Sequence, residues 1–220
     1  FFADIFGTFE VCIVPMDFQS IRSAVEEIVL KVGQRVATEL KASDHAQFTR
    51  KGPTDLVTEI DLWAEQQVLD FVRERFPDHL VLGEETSGEL CAKTGRSLEQ
   101  LAARGVCWFV DPIDGTTNFT SRIPFVSVSI GVLVDGVRSI GVVYDAARNE
   151  LFSAVRGAGA TMNGSAIAVS KKTELVDAVL ATDFPYELLH QRDGRSITPA
   201  WTGEVRAVRC YGSAALEGCW

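Results

Sequence analysis

From residue 17 onward the apolar positions fall into a helical rhythm. Ile21, Ala24, Val25, Ile28, Val32, Val36 and Leu40 recur every three or four residues and trace one stripe. Asp17 stands ahead of that stripe as an N-cap, with Met16 just outside it. The polar, basic stretch 41–53 has no period and predicts a loop. A second helix is predicted from about Glu59 to Phe76, capped by Thr58, with Ile60, Ala64, Gln67, Val68, Phe71 and Val72 inward and Pro77 as its stop. Asp61 then lies in the first helical turn, where a carboxylate also complements the helix dipole.

Strand signals follow. Leu80-Val81-Leu82 reads as a short strand running into Gly83-Glu84-Glu85, and 86–105 as an exposed excursion with a short helix from Ser97 to Arg104. Cys107-Trp108-Phe109-Val110 predicts a buried strand that delivers Asp111-Pro112-Ile113-Asp114-Gly115-Thr116 as one tight turn. From Phe125 the period changes to two. Val126, Val128, Ile130, Val132 and Val134, an Asp135-Gly136 turn, then Val137 to Tyr144 and Glu150 to Val155 predict an antiparallel meander. Gly157 to Gly164 lacks dinucleotide-loop spacing and follows a hairpin, so it is not a nucleotide loop. Leu175 to Thr182 and Val205 to Cys210 are further helix or strand segments, and Gly212-Ser213-Ala214-Ala215 opens a last helix.

Composition narrows the classes. The 220 residues suit one large domain or two closely packed smaller ones; with 46% hydrophobic and 23% charged residues the chain is globular, and no apolar run is long enough to span a membrane. A formal charge of −9 argues against nucleic acid or an anionic membrane as the main partner, and an acidic protein that handles an anionic substrate needs bridging cations. Cys12, Cys91, Cys107, Cys210 and Cys219 form no C-x-x-C pair, which disfavours a disulfide scaffold or zinc ribbon and predicts reduced, mostly buried thiols in the cytoplasm. His45, His79 and His190 are isolated, which disfavours a zinc enzyme.

The ends carry expectations of their own. Residues 1–15 are apolar-rich without a basic start and read as a non-native or disordered extension before Met16. Residues 16–150 read as a helix pair plus antiparallel sheet carrying a metal site, and 151–220 as the start of a second α/β portion, incomplete because Cys219-Trp220 falls inside a helix.

The chemistry centres on Asp111 to Thr116, which offers two carboxylates, a carbonyl and a hydroxyl, the hard oxygen donors that suit Mg²⁺. The same residues also make a good β-turn. What favours a site is the company: Asp61 at a helix start, and Glu84 and Glu85 after another strand. Metals shared among such groups offset their mutual repulsion, and two ions about 3.5–4 Å apart can clamp both oxygens of a phosphoryl transfer.

Trp108 to Phe119, preceded by Gly83-Glu84-Glu85 and Asp55 to Asp61, resembles the inositol monophosphatase family of Mg²⁺-dependent, lithium-sensitive phosphatases, and the likeness runs from about Met16 to Trp220. The resemblance implies an α/β (α+β layered) fold, an αβαβα sandwich of the sugar-phosphatase type. It implies that Glu84, Asp111 and the Ile113 carbonyl hold a first Mg²⁺, that Asp111 and Asp114 hold a second, and that Glu84 faces a weaker third. Asp61 and the Thr116 hydroxyl would orient and deprotonate the metal-activated water, with Glu85 in support. Gly115 and Thr116 would meet the phosphate, and Asp114, Gly212, Ser213 and Ala214 the rest of the substrate; Ser213 is equally a plain N-cap.

Covalent routes do not fit. Cys91 and Arg96 have four residues between them where a cysteine phosphatase needs five, and a D-x-D nucleophile motif would fall on Pro112. Direct attack by water on myo-inositol monophosphate is the expected reaction. Fructose 1,6-bisphosphate, histidinol phosphate, NADP and 3′-phosphonucleotides are the alternative substrates, and a non-catalytic metal-binding or scaffold relative is the rival. The family's downstream Trp-Asp motif does not occur in the 220 residues. The resemblance also implies a homodimer.

Overall fold

The computed structural model describes residues 17–42, 48–50, 56–182 and 204–220. The expectations for residues 1–16, His45, His190 and Cys12 lie outside them. Helix α1 (Phe18–Lys41) starts where Asp17 Oδ1 accepts the amides of Gln19 and Ser20, each at 3.1 Å. Its predicted stripe is buried, joined by Val29 and Gly33. A side chain at Gly33 would run into the ring of Tyr144, so this glycine lets the helix lie close on the sheet. Strands β1 (Phe48–Arg50) and β2 (Leu56–Thr58) pair antiparallel, which corrects the loop expected over 41–53. Helix α2 (Glu59–Arg75) follows β2 directly. Thr58 and Asp61 form a reciprocal capping box at its start, an arrangement that satisfies two otherwise orphaned amides.

The seven-stranded sheet keeps chain order: β3 (Leu80–Gly83), β4 (Val106–Asp114), β5 (Ser127–Val134), β6 (Val137–Asp145), β7 (Glu150–Val155), β8 (Gly159–Met162) and β9 (Ser165–Ile167). β3 and β4 are parallel, with α3 (Ser87–Thr94) and α4 (Leu98–Ala102) in their connection, where one short helix had been expected. From β4 to β9 every pairing is antiparallel. The meander therefore runs one hairpin further than predicted, to Ile167. Asp135-Gly136 and Asn163-Gly164 turn with all four residues at positive φ, as two-residue hairpins demand.

One sheet face sends Trp108, Val110, Val128, Ile130, Val132, Val142 and Tyr144 into the core beneath α1 and α2. On the other face Leu82, Cys107 and Phe109 form a smaller cluster with Leu90 of α3 and Ala102 of α4. Helix α5 (Thr116–Thr120) follows β4, β10 (Val179–Ala181) pairs parallel with β11 (Ala207–Arg209), and α6 (Ala214–Cys219) packs on β5 and β6. The layered α/β class is as expected.

Two expectations are corrected. Asp111-Pro112-Ile113-Asp114 is not a tight turn but the end of β4: Asp111 faces Ser129, Asp114 faces Ser127, and a bulge lies between. Pro112 lacks an amide to donate and sits at that irregularity, where its missing hydrogen bond costs nothing. The turn itself begins at Gly115, with φ +95. The described thiols are free but only Cys107 is buried; Cys91 and Cys219 are half-buried and Cys210 is exposed.

Candidate active site

Three backbone ends converge on the predicted carboxylates. The capping box that starts α2 fixes Asp61, because Oδ2 accepts the Thr58 amide at 2.8 Å and the Thr58 hydroxyl as well. That leaves Oδ1 of this fully buried residue without a partner. Burial raises the pKa of Asp61, and the Glu85 carboxylate raises it further, against the lowering effect of Thr58. At the end of β3, the Glu84 amide donates to the Val110 carbonyl at 3.0 Å, which docks the 83–85 segment on β4.

Asp111 is the most perturbed group. Burial, then the charges of Glu84, Asp114 and Asp61, push its pKa up to about 8, and its Oδ1 is buried with no hydrogen bond. A carboxylate in that position is short of positive charge, and no cation faces it among the causes of its shift. Orphaned buried oxygens on Asp61 and Asp111, beside Glu84, are hard donors of the kind a divalent cation takes. The residues thus fit the metal. Among the described residues, no three acidic, thiol or imidazole side chains are grouped closely enough to hold one ion by themselves. A cleft of about 380 Å³ opens beside them, walled by Gly83, Glu84, Val110, Asp111, Ser129 and Gly131.

Asp114 is used differently. Its Oδ1 accepts the Ala214 amide at 3.0 Å, and its Oδ2 accepts the Ala215 amide at 3.0 Å and the hydroxyls of Ser127 (2.9 Å) and Ser213. It therefore caps α6 from a hundred residues away, a task sequence reasoning had offered to Ser213, which makes no side-chain cap bond of its own. Ser213 is fully buried against Asp114, while Gly212 and Ala214 flank it. The Thr116 hydroxyl donates to the Ile113 carbonyl at 3.1 Å, joining two predicted site atoms to each other instead of Thr116 to Asp61.

Asn118, which the sequence reading took only as part of the Trp108 to Phe119 resemblance, ties the region together. Its Nδ2 lies 2.7, 2.9 and 3.3 Å from the carbonyls of Tyr211, Phe125 and Gly212. Gly115 sits in the same knot. A methyl group there would come within 2.8 Å of the Gly212 carbonyl and 3.0 Å of the Phe125 carbonyl, so only glycine fits at this positive φ. Ser127, facing Asp114, likewise left no sequence signal.

The description "Inositol monophosphatase family" matches residues 17–220. The chain belongs to that family. Among curated relatives it is 37% identical over 196 residues to the inositol-1-monophosphatase of Bacillus subtilis, covering 88% of this chain and 71% of the relative. It is 40% identical over 188 residues to "Nus factor SuhB" of Escherichia coli K12, covering 85% and 67%. The solved structure of the extragenic suppressor protein suhB from Bartonella henselae superposes with a TM-score of 0.73 at 29% identity, covering 90% of this chain and 72% of that one. As a member of the inositol monophosphatase family, the protein is a phosphoric monoester hydrolase of a metal-dependent kind that acts on small phosphorylated substrates. No described helix is long and apolar enough to cross a membrane.

Proposed function

We propose that the protein hydrolyses myo-inositol monophosphate to inositol and phosphate by direct attack of water, with Mg²⁺ as its cofactor. The observation that supports this most is the buried, unpartnered Asp111 Oδ1 among the charges of Glu84, Asp114 and Asp61. Glu84, Asp111 and the Ile113 carbonyl would hold one ion, and Asp111 with Asp114 a second. When bound, Mg²⁺ supplies the positive charge that neutralises phosphate and makes water a stronger acid.

The remaining steps belong to the chain. Asp61 has one oxygen clamped by Thr58 and the other without a partner, so Oδ1 is the atom that takes a proton from the attacking water. Thr116 keeps a lone pair on its hydroxyl while it donates to Ile113, and so can accept a hydrogen bond from that water and fix its direction. The Gly115 turn brings the phosphate to the start of α5, and the Asp114 bonds hold the 212–214 segment where substrate hydroxyls would lie.

A phosphate-release panel tests the reading. Inositol 1-phosphate with Mg²⁺ is expected to give the highest kcat/KM, EDTA to abolish turnover, and Li⁺ to inhibit. Faster release from fructose 1,6-bisphosphate, histidinol phosphate, NADP or a 3′-phosphonucleotide would replace the substrate, and release unaffected by EDTA would remove the metal. Sedimentation is expected to give a dimer. A second reading, a role as a Nus factor, has the relatives' name in its favour; it predicts that a turnover-dead variant keeps that role.

A further inference from the structure

The structure assigns Glu65 a role that neither the motif nor the capping geometry requires: it is the positioning residue that sets the Glu84–Glu85 segment against Asp111. Glu65 lies one helical turn after Asp61 on the inner face of α2, and only 1% of its surface is exposed. Its Oε2 accepts the Glu85 amide at 2.8 Å, while its Oε1 is buried without a partner. No cation pairs with it among the described residues.

The neighbouring backbone is shaped around this carboxylate. A Cβ built on Gly83 would overlap the carboxyl carbon and both oxygens of Glu65, so a glycine here is what lets the end of β3 lie on the acid. The Glu84 amide is held from the opposite side by the Val110 carbonyl. Two consecutive amides are therefore fixed by two different elements, one by the β4 backbone and the next by an α2 side chain. The Glu84 side chain leaves the chain between those two anchors and reaches the Asp111 carboxyl, with which it shares a hydrogen bond.

A buried carboxylate without a cation is a poor choice for a core position, since an apolar residue of similar size would avoid its desolvation. One amide bond does not offset that cost. What the carboxylate does, and an apolar side chain would not, is fix the orientation of the 84–85 peptide. Groups that orient metal ligands commonly govern metal affinity without touching the metal. The inference rests on the reading that Glu84 and Asp111 hold Mg²⁺.

Calorimetric titration of the whole chain with Mg²⁺ alone, without substrate, tests both layers. Glu65→Leu is expected to weaken Mg²⁺ binding about tenfold or more, and to raise the Mg²⁺ needed for half-maximal phosphate release in parallel, while kcat at saturating Mg²⁺ stays within about threefold. Glu65→Gln keeps an oxygen for the Glu85 amide and is expected to bind Mg²⁺ within about threefold of the parent. Normal Mg²⁺ affinity in Glu65→Leu, or equal weakening by Gln and Leu, overturns the positioning role. If Glu65→Leu does not fold, Gly83→Ala asks the same question, because it lifts the segment off the acid: weakened Mg²⁺ binding, recovered when Glu65→Asp shortens the acid beneath it, supports the role, and unchanged binding overturns it. Glu84→Gln separates the layers. If Mg²⁺ affinity ignores Glu84, the metal reading fails and this inference with it; if it responds to Glu84 but not to Glu65, only the positioning role falls.

Discussion

Asp145 and Asp111 are both carboxylates delivered by strands of one sheet, yet they have opposite surroundings. Asp145, fully buried at the end of β6, has its charge answered on every side: Oδ1 accepts the amides of Ala147 and Arg148 at 2.9 Å, and Oδ2 pairs with the Arg148 guanidinium at 2.8 Å. That guanidinium in turn lies 4.4 Å over the Phe125 ring. Asp111 has an orphaned oxygen and three acidic neighbours. The difference separates a carboxylate whose charge is answered within the fold from one whose charge is not, and the distinction lies in the partners rather than in the residue or its place on the strand.

The comparison breaks most visibly at Asp111→Asn. Turnover is expected to fall about a thousandfold or more if Asp111 holds the proposed ion, and a thousandfold is about 4 kcal/mol of transition-state stabilisation. In EDTA the same substitution is expected to leave the melting temperature unchanged or raise it, since Asn is neutral without the proton that folded Asp111 has to take up near neutral pH. A melting temperature that fell in EDTA would make Asp111 another Asp145. The pH dependence sharpens the point. Folded Asp111 holds its proton to about pH 8, whereas an unfolded Asp releases it near pH ~4. Between those values the folded chain binds more protons than the unfolded one, so metal-free stability is expected to fall as pH rises through that window and to level off above it. Saturating Mg²⁺ should flatten the decline, and calorimetric scans with and without EDTA from pH 5 to about pH 9 check it.

Asp114 sits between the two extremes, close enough to raise the pKa of Asp111 but engaged by four donors of its own. Asp114→Ala strips the cap from α6 and leaves two buried hydroxyls without their acceptor. A loss of about 3 kcal/mol in denaturant unfolding is expected in EDTA. Asp145→Ala is expected to cost less, about 2 kcal/mol, because the side chain of Arg148 is 35% exposed and can turn to water. Its Mg²⁺ dependence is expected to match the parent's.

The parts legible in the sequence were those whose signal is local. The α1 stripe, the Thr58 cap and the Asp135-Gly136 hairpin all lie within a few residues of what they determine. Asp111 to Asp114 was misread as a turn because Pro112 and Gly115 spell one, while the pairing that keeps the segment in the sheet comes from Ser129 and Ser127, which carry no such signal. The acidic residues that the fold brings near Asp111 were legible, but the hydrogen bonds that each one makes were not. Nothing near Asp114 announces that its acceptors will be used by amides a hundred residues away. Glu65 did leave a trace, as a carboxylate one turn after Asp61 within the inward face of α2, and its meaning emerged only with Gly83 packed against it.

The smallest expected effect, at Thr58, tests whether Asp61 belongs with Asp111 or with Asp145. Thr58→Val keeps the shape and the amide at 2.8 Å from Oδ2 but removes the hydroxyl that both caps α2 and grips Asp61. Loss of an N-cap costs about 1 kcal/mol, so a modest drop in stability is expected whatever Asp61 does. If Asp61 is the base, its freed carboxylate also loses aim, and kcat is expected to fall about tenfold at saturating Mg²⁺ while Mg²⁺ affinity holds. Lost stability with an unchanged kcat would make Asp61 a capping residue alone. The unpartnered Oδ1 argues for the first outcome, because a carboxylate present only to cap has no need to keep one oxygen buried and without a protein donor.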